Sequence, residues 1–186
     1  MSVFVAWMPD DDALDALTAL RASVVDAAPE TARLEWRRRR QLHMTLRYLY
    51  GGLPADPGPL YAGMAAIAAR TRRIDLVFDR VEAWSNVLVA CPAPHSRLDG
   101  LFADADAVAV ACGDRPEPKP PKPHVTLAYL PRAPGALPGT GLPRAPSPLP
   151  FETCVGRVAL ARTAPGGYET PDWWPLQDPP LPTSPD

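Results

Sequence analysis

Apolar residues recur along the chain with two different periods, and these periods predict where helices and strands lie. The run VFVAWM at residues 3–8 is apolar throughout, as a buried strand is. It leads into Pro9 and three aspartates, a typical helix start because acidic side chains are favourable at the amino end of a helix. Apolar residues then return at helical spacing, at Leu14, Leu17, Leu20 and Val24. We therefore predict a strand followed by a helix.

The same alternation of strands and helices continues through the rest of the chain. A helix is expected from about Pro59 to Arg73, and IDLVFDRVEAW, residues 74–84, predicts a strand. VLVACPAPHSRLDGL, which begins at Val87, predicts a strand, a proline-marked turn and a helix. FETCVGRVALART, which begins at Phe151, predicts a closing strand, and GGYETPDWWPL follows it.

Proline limits what the second half of the chain can form. Most of the 26 prolines lie after residue 115, so RPEPKPPKP at 115–123 is expected to be extended. The segment at 131–150 is expected to be a long irregular connection, and residues 179–186 a flexible tail.

Two of the three histidines lie in nearly the same phrase. QLHMTLRYL, residues 41–49, and KPHVTLAYL, residues 122–130, share the pattern His-x-Thr-Leu-x-Tyr-Leu. In a strand, a histidine and the threonine two residues later lie on one face, about 6.6 to 7 Å apart along the chain. Each phrase therefore presents an imidazole beside a hydroxyl, and alternation also places Arg47 on the His43 face.

The phrases end two similar stretches of chain. A shift of 84 residues lays LDGL at 98–101 on LDAL at 14–17, and the two histidines are offset by 81. We predict a duplicated strand–helix–strand unit, although two amphipathic helices can also match by coincidence. The expected fold is α+β, a single two-lobed domain over residues 1–178. Each lobe is a mainly antiparallel sheet with helices outside, and the histidine strands lie side by side at a central cleft.

Two opposed imidazoles and two hydroxyls around one centre form a site for a phosphate. Displacement at phosphorus needs one group to remove a proton from the nucleophile and another to protonate the leaving oxygen. Histidine titrates near neutrality, so His43 and His124 can hold different protonation states at the same pH. Thr45, Thr126 and Arg47 can donate hydrogen bonds to the non-bridging oxygens. A single His-x-Thr is more often structural, and His95, which lacks such company, is expected simply to lie near a helix start.

Composition narrows the class of protein. The net charge of −2 provides no general attraction for nucleic acid, so any such contact must be local. Asp, Glu and Cys are not at ligand spacing around either histidine, and we expect neither a metal nor a cofactor. Cys91, Cys112 and Cys154 are expected as reduced thiols in the cytoplasm. No apolar run is long enough to span a membrane, no positively charged leader is present, and a monomer is expected.

With these motifs, the sequence resembles the two-histidine phosphoesterase superfamily, most closely its RNA 2',3'-cyclic phosphodiesterase branch, historically called 2'-5' RNA ligase. VFVAWMP is similar to the family's FVALDLP, LHMTLRYL to LHLTLKFLG, and KPHVTLAYL to HPHVTLAR. VALARTAPGGYETPDWWPL resembles the family's last strand and hairpin. The resemblance implies that His43 protonates the leaving ribose oxygen, His124 activates water, and Thr45 and Thr126 hold the phosphate. The implied product is a 2'-phosphomonoester.

Other functions fit the same motifs. Within the same chemistry, the substrate can be a small cyclic nucleotide, an ADP-ribose cyclic phosphate or a 2'-5' linkage. A non-catalytic protein that binds RNA ends, or a structural module with incidental histidines, is also consistent with the sequence. The chain departs from the family pattern at Tyr129, where a basic residue is common, and in its proline-rich connection. It also has RRRR at 37–40 in place of a more neutral, proline-containing approach to the first motif.

Two further groups of residues are candidates for contacts with RNA. The run from Arg37 to Arg40 can follow an RNA backbone next to the pocket, although a solvated loop is the favoured interpretation. Five aromatic side chains can stack a terminal base, although ordinary packing is favoured for each. They are Trp36, Tyr48, Trp84, Trp173 and Trp174.

Overall fold

The computed structural model describes residues 2–131 and 146–178, and these residues form nine strands and three helices. The strands are β1 (Val3–Trp7), β2 (Glu35–Trp36), β3 (Met44–Leu49), β4 (Ile74–Trp84), β5 (Val87–Pro92), β6 (Val125–Tyr129), β7 (Phe151–Val155), β8 (Arg157–Ala164) and β9 (Gly167–Pro175). The helices are α1 (Asp11–Ala27), α2 (Gly58–Arg70) and α3 (Ser96–Ala111), with short 3₁₀ helices at Pro29–Arg33 and Arg39–Gln41.

The strands form two sheets in which all neighbouring strands are antiparallel. The first sheet has the order β3-β1-β8-β9, and the second has the order β2-β6-β5-β4-β7. The predicted α+β fold with two mainly antiparallel sheets is confirmed. One histidine phrase lies in each sheet, since β3 belongs to the first and β6 to the second.

The prediction of one closing strand from Phe151 is wrong, because the chain changes sheets in the middle of that segment. β7 pairs with β4 in the second sheet, whereas β8 pairs with β1 in the first. Gly156 lies between them, and a Cβ there would be only 3.1 Å from the Arg73 guanidinium. Residues 132–145 of the predicted connection and the tail at 179–186 lie outside the described residues.

The helices begin where capping and proline predict. The Asp10 carboxylate accepts a hydrogen bond from the Ala13 N–H at 3.0 Å and so caps α1. α2 ends at Arg70, before the predicted end at Arg73. α3 begins directly after His95, which lies at a helix start as expected. Within the described residues, no helix is both long enough and apolar enough to cross a membrane.

The buried faces of α1 and α3 have the same spacing. The buried positions are Ala13, Leu17, Leu20 and Val24 in α1, and Leu98, Leu101, Phe102, Ala105 and Ala109 in α3. The spacing of the buried α1 positions recurs in α3 at Leu98, Phe102, Ala105 and Ala109. This match is shifted by one residue relative to the match of LDAL to LDGL. Along the chain, α1 lies between β1 and the histidine strand β3, and α3 lies between β5 and the histidine strand β6. A duplicated unit stays a prediction.

The main apolar core lies between the helices and one face of each sheet. Val3, Val5 and Trp7 on β1, with Leu88 and Ala90 on β5, belong to this cluster. The alternate residues of β1, which face the other way, form a separate small cluster with Ala161 and Tyr168. The faces turned away from the helices therefore carry the histidines.

Both histidine strands contain a β-bulge at the leucine after the threonine, at Leu46 and Leu127. Thr45 and Arg47 pair with consecutive residues of β1, so Leu46 is the extra residue. The residues that flank Leu127 likewise pair with consecutive residues of β5. A bulge breaks the two-residue alternation of a strand, so side chains beyond it change face.

The prediction that Arg47 lies on the His43 face is wrong, because the bulge turns it toward the helices. Arg47 is fully buried, and its guanidinium lies 3.2 Å from a carboxylate oxygen of Asp114 and 3.2 Å from one of Glu117. Its Nε is 2.8 Å from Asp106 but is not aligned with that oxygen for a hydrogen bond. It also donates to the backbone carbonyls of the next residue and of Arg115.

This ion cluster connects β3 to the start of the proline-rich approach to His124. The Glu117 carboxylate also accepts a hydrogen bond from the Tyr50 hydroxyl at 2.9 Å, and Asp114 accepts from the Tyr50 N–H. A buried arginine that neutralises several carboxylates stabilises a fold mainly because its loss leaves those charges uncompensated. Arg47 therefore has a structural role.

We expect Arg47→Met to lower the free energy of unfolding by about 3–5 kcal/mol, because three carboxylates lose their shared cation. Arg70→Met is the matched control, since Arg70 lies 2.8 Å from Asp104 in an exposed pair. The control should cost less than about 1 kcal/mol. Urea unfolding of both variants measures the difference. Equal losses in the free energy of unfolding would show that the buried cluster stabilises the fold no more than the exposed pair does.

Candidate active site

Each imidazole is held by a hydrogen bond to a backbone carbonyl two residues earlier. Nδ1 of His43 lies 2.9 Å from the carbonyl oxygen of Gln41, and Nδ1 of His124 lies 2.7 Å from that of Lys122. A carbonyl oxygen can only accept, so Nδ1 must carry the proton in both rings. In the neutral form this leaves an unprotonated Nε2 on each imidazole, able to take a proton or to deliver one once charged.

Aromatic side chains enclose the His43 ring. The ring stacks on Phe4 with centroids 4.9 Å apart and meets Tyr168 edge-on at 4.7 Å. This burial lowers the pKa of His43 from 6.5 to about 4. The hydrogen bond to Gln41 raises the pKa, while the positive charges of Arg37 and His124 lower it further. His43 is therefore neutral at physiological pH.

The His124 ring has a similar setting in the second sheet. It meets the ring of Trp84 at a centroid distance of 4.7 Å, and the Lys122 ammonium lies 5.6 Å from the same tryptophan ring. Burial lowers the pKa of His124, and the hydrogen bond to the Lys122 carbonyl opposes that shift. Both imidazoles are thus biased toward the neutral form.

The structure brings the two histidines into one region. Their strands, β3 and β6, belong to different sheets but contact each other. A positive charge on His124 also lowers the pKa of His43, as the smallest of the four causes. A charge on the His124 ring is therefore felt at the His43 ring.

The threonines accompany the histidines on the faces turned away from the helices. Thr45 pairs with Ala6, which belongs to the small cluster, and Thr126 pairs with Val89. Both side chains are partly buried, and neither hydroxyl donates or accepts a hydrogen bond within the part of the chain that the structure describes. Arg47, the fifth predicted site residue, is not in this group.

The four consecutive arginines have different surroundings. Arg39 pairs with Asp11 at 2.9 Å and Asp15 at 3.0 Å, so its charge is already compensated. The Arg40 side chain lies against the turn between β8 and β9, and Arg38 is exposed. For these three, contact with an RNA backbone stays a prediction. Arg37 differs, because it turns toward the histidines and donates a hydrogen bond to the Tyr168 hydroxyl.

One of the five aromatic candidates for base stacking contacts a histidine ring, namely Trp84. Tyr48 packs in the small cluster that contains Phe4. Trp36 donates to a backbone carbonyl, Trp173 lies under Arg157, and Trp174 is buried, so these three pack elsewhere. Stacking of a base on Trp84 or Tyr48 stays a prediction.

Sequence reasoning missed the aromatic side chains that surround His43. Phe4 lies in a strand whose five residues are all buried, so alternation gave no sign that it faces the histidine. Tyr168 lies in β9, more than a hundred residues from His43, and the only signal was its place in the terminal motif. No group of three or more His, Cys, Asp or Glu side chains in residues 2–131 and 146–178 is arranged to hold a metal ion.

Residues 9–167 match the family described as the 2'-5' RNA ligase superfamily. The chain belongs to this superfamily. The resemblance to two-histidine phosphoesterases is therefore confirmed at the superfamily level. No curated protein matches the chain at a significant level.

Solved structures of the superfamily share the fold. TT0787 of Thermus thermophilus has a TM-score of 0.71 at 23% identity, covering 95% of this chain and 98% of its own. Apo LigT of E. coli has a TM-score of 0.72 at 21% identity, covering 94% and 96%. Usb1 of Kluyveromyces marxianus has a TM-score of 0.55 at 11% identity, covering 94% and 97%. Matches over nearly the full length of both chains confirm the expected two-histidine phosphoesterase fold.

The lowered pKa of His43 makes stability depend on pH. The unfolded chain binds a proton at this residue below about pH 6.5, whereas the folded protein does not until about pH 4. The free energy of unfolding should therefore fall as pH falls through that window, by up to about 3 kcal/mol. His43→Gln has no titrating group at this position. Its free energy of unfolding, measured with urea across this pH window, should therefore depend less on pH than that of the wild type. Parallel profiles would contradict the lowered pKa.

Proposed function

We propose that this protein is a metal-independent phosphodiesterase that opens a terminal 2',3'-cyclic phosphate of RNA and leaves a 2'-phosphomonoester. The observation that carries the proposal is the repeated setting of the two histidines. Each has its Nδ1–H on a carbonyl, its Nε2 available and a threonine two residues later. Two such proton-transfer groups, on strands that contact each other, suit a single phosphorus atom between them.

The reaction needs one neutral and one protonated imidazole. The neutral Nε2 takes a proton from water as the water oxygen attacks phosphorus. The bond from phosphorus to O3' breaks, and the protonated imidazole gives its Nε2 proton to that oxygen. Family resemblance assigns the acid to His43 and the base to His124, and we adopt that order. Afterwards His124 holds the proton that His43 has lost, and exchange with solvent restores both rings.

Substrate binding supplies the protonation state that the free site lacks. Burial holds both imidazoles neutral near pH 7, but a cyclic phosphate carries a negative charge. A nearby anion favours an imidazolium, so the pKa of a histidine in contact with it rises. The imidazole therefore takes up the catalytic proton from solvent when the substrate binds.

The threonines are assigned to the phosphate. Hydroxyls two residues after each imidazole, without partners among the described side chains, can donate to the non-bridging oxygens. Such donors stabilise the charge that develops in the transition state. Acid, base and phosphate contacts are then all supplied by protein groups, so the mechanism requires no metal.

Comparison with the superfamily supports a nucleotide substrate. LigT of E. coli has been solved in complex with 3'-AMP, ATP, NADP+ and phosphate. These are ligands of that protein, and they agree in kind with the nucleotide end proposed here. A side-by-side assay of cyclic-phosphate RNA, small cyclic nucleotides, ADP-ribose cyclic phosphate and 2'-5'-linked dinucleotides separates the possible substrates.

We place this activity in the cytoplasm. Cys91, Cys112 and Cys154 are all free thiols. Unpaired cysteines agree with a reducing compartment.

We expect His43→Ala and His124→Ala each to lower kcat/KM for cyclic-phosphate RNA by about 10²- to 10⁴-fold, because each removes one proton-transfer step. His95→Ala is the matched control, since this third histidine lies at the start of α3, and it should retain full activity. A chelator should leave the wild-type rate unchanged. Turnover that survives in the double alanine variant would exclude the mechanism.

The pH profiles of the two kinetic constants should differ. The free protein has a His43 pKa of about 4 and a lowered His124 pKa, so kcat/KM should be largest below about pH 6.5. The bound anion raises these pKa values, so the kcat maximum should lie at higher pH. Initial rates across the pH range give both curves. A kcat/KM maximum above about pH 7.5 would contradict the buried, neutral imidazoles.

A further inference from the structure

Arg37 is held by its backbone against the second histidine strand. It follows β2 directly, and β2 pairs with β6. The Arg37 N–H donates to the Leu127 carbonyl at 2.8 Å, one residue beyond Thr126. The start of this side chain is therefore fixed relative to the His124 phrase.

The Arg37 guanidinium extends from there toward the first histidine. It lies 5.4 Å from the ring centroid of Tyr129 and 6.0 Å from that of Tyr168, and it donates to the Tyr168 hydroxyl. Tyr168 in turn meets the His43 ring edge-on. The cation thus bridges an aromatic residue of the His124 strand and one that contacts His43.

The charge of Arg37 has no acidic partner in the part of the chain that the structure describes. No carboxylate there lies within 4 Å of it, in contrast to Arg39 and Arg47. The side chain is partly buried, and its charge is felt at His43. A partly buried cation without a carboxylate, whose charge is felt at His43 and whose backbone is bonded next to Thr126, favours an anion.

We propose that Arg37 is a further substrate-binding residue, whose guanidinium donates to a non-bridging oxygen of the phosphate between the two histidines. The inference rests on the proposed function for the identity of its substrate. Guanidinium has five N–H donors, and Tyr168 occupies one of them, so others remain for the anion. Tyr129 and Tyr168 hold the group in place, so its charge faces the phosphate without reorganisation.

An arginine that only packs between two tyrosines would have the same contacts, so the test must measure anion binding. The probes are adenosine 2'-monophosphate and inorganic phosphate, titrated by calorimetry into the wild type and four variants. These are Arg37→Met, Arg37→Lys, Arg37→Gln and Arg38→Met, the last being an exposed neighbour. Thermal unfolding confirms that each variant is folded.

We expect Arg37→Met to bind adenosine 2'-monophosphate about ten- to hundredfold more weakly, the loss typical of a charge-assisted hydrogen bond. Arg37→Lys keeps the charge but not the planar fork, so it should lose less. Arg38→Met should bind like the wild type. Arg37→Met binding within twofold of the wild type would overturn the proposal. If Arg37→Met does not fold, Arg37→Gln decides by the same criterion.

Turnover separates this inference from the proposed function. A wild type that hydrolyses cyclic-phosphate RNA, together with an equally active Arg37→Met, overturns the role of Arg37 and leaves the phosphodiesterase standing. A wild type that hydrolyses none of the substrates overturns the phosphodiesterase. In that case the titrations still decide whether Arg37 binds the anion.

Discussion

The hydrogen bond from each histidine Nδ1 to the carbonyl two residues earlier is the interaction on which the rest of the site depends. The bond runs to Gln41 from His43 and to Lys122 from His124, and it fixes each ring, sets its tautomer and leaves Nε2 unprotonated in the neutral form. The carbonyl bond alone favours the charged ring, but burial outweighs it and keeps both imidazoles neutral. In the proposed reaction, the bound phosphate anion raises the pKa of an imidazole, which then takes the catalytic proton from solvent.

The scaffold holds these two rings near each other although they belong to different sheets. A bulge after each His-x-Thr phrase ends the alternation of side chains. In β3 that change turns Arg47 into the interior, where it binds the chain that leads from α3 to His124. The first histidine strand thereby anchors the approach to the second. Strand alternation predicts that Arg47 binds the phosphate. In the structure, Arg47 instead supports the geometry of the site.

The local pattern of residues predicted much of this fold and the histidine pair. Helix and strand periods, the Asp10 cap and the strand at 74–84 depend on neighbouring residues, so the sequence contains them directly. The wrong predictions concern features that depend on contacts between residues far apart in the sequence. The bulge at Leu46 exists only in pairing with β1, and the break at Gly156 depends on which sheet each half joins. Arg37 likewise differs from its three neighbours because of Tyr168, 131 residues away.

The tautomers of the two histidines can be measured directly by long-range proton–nitrogen NMR of the wild-type protein at neutral pH. The account predicts a protonated Nδ1 and an unprotonated Nε2 on both rings, with an Nε2 proton appearing when a nucleoside 2'-monophosphate is added. A proton on Nε2 of either ring in the free, neutral state would show that its carbonyl bond is absent. The arrangement for proton transfer across a single phosphate would then be contradicted.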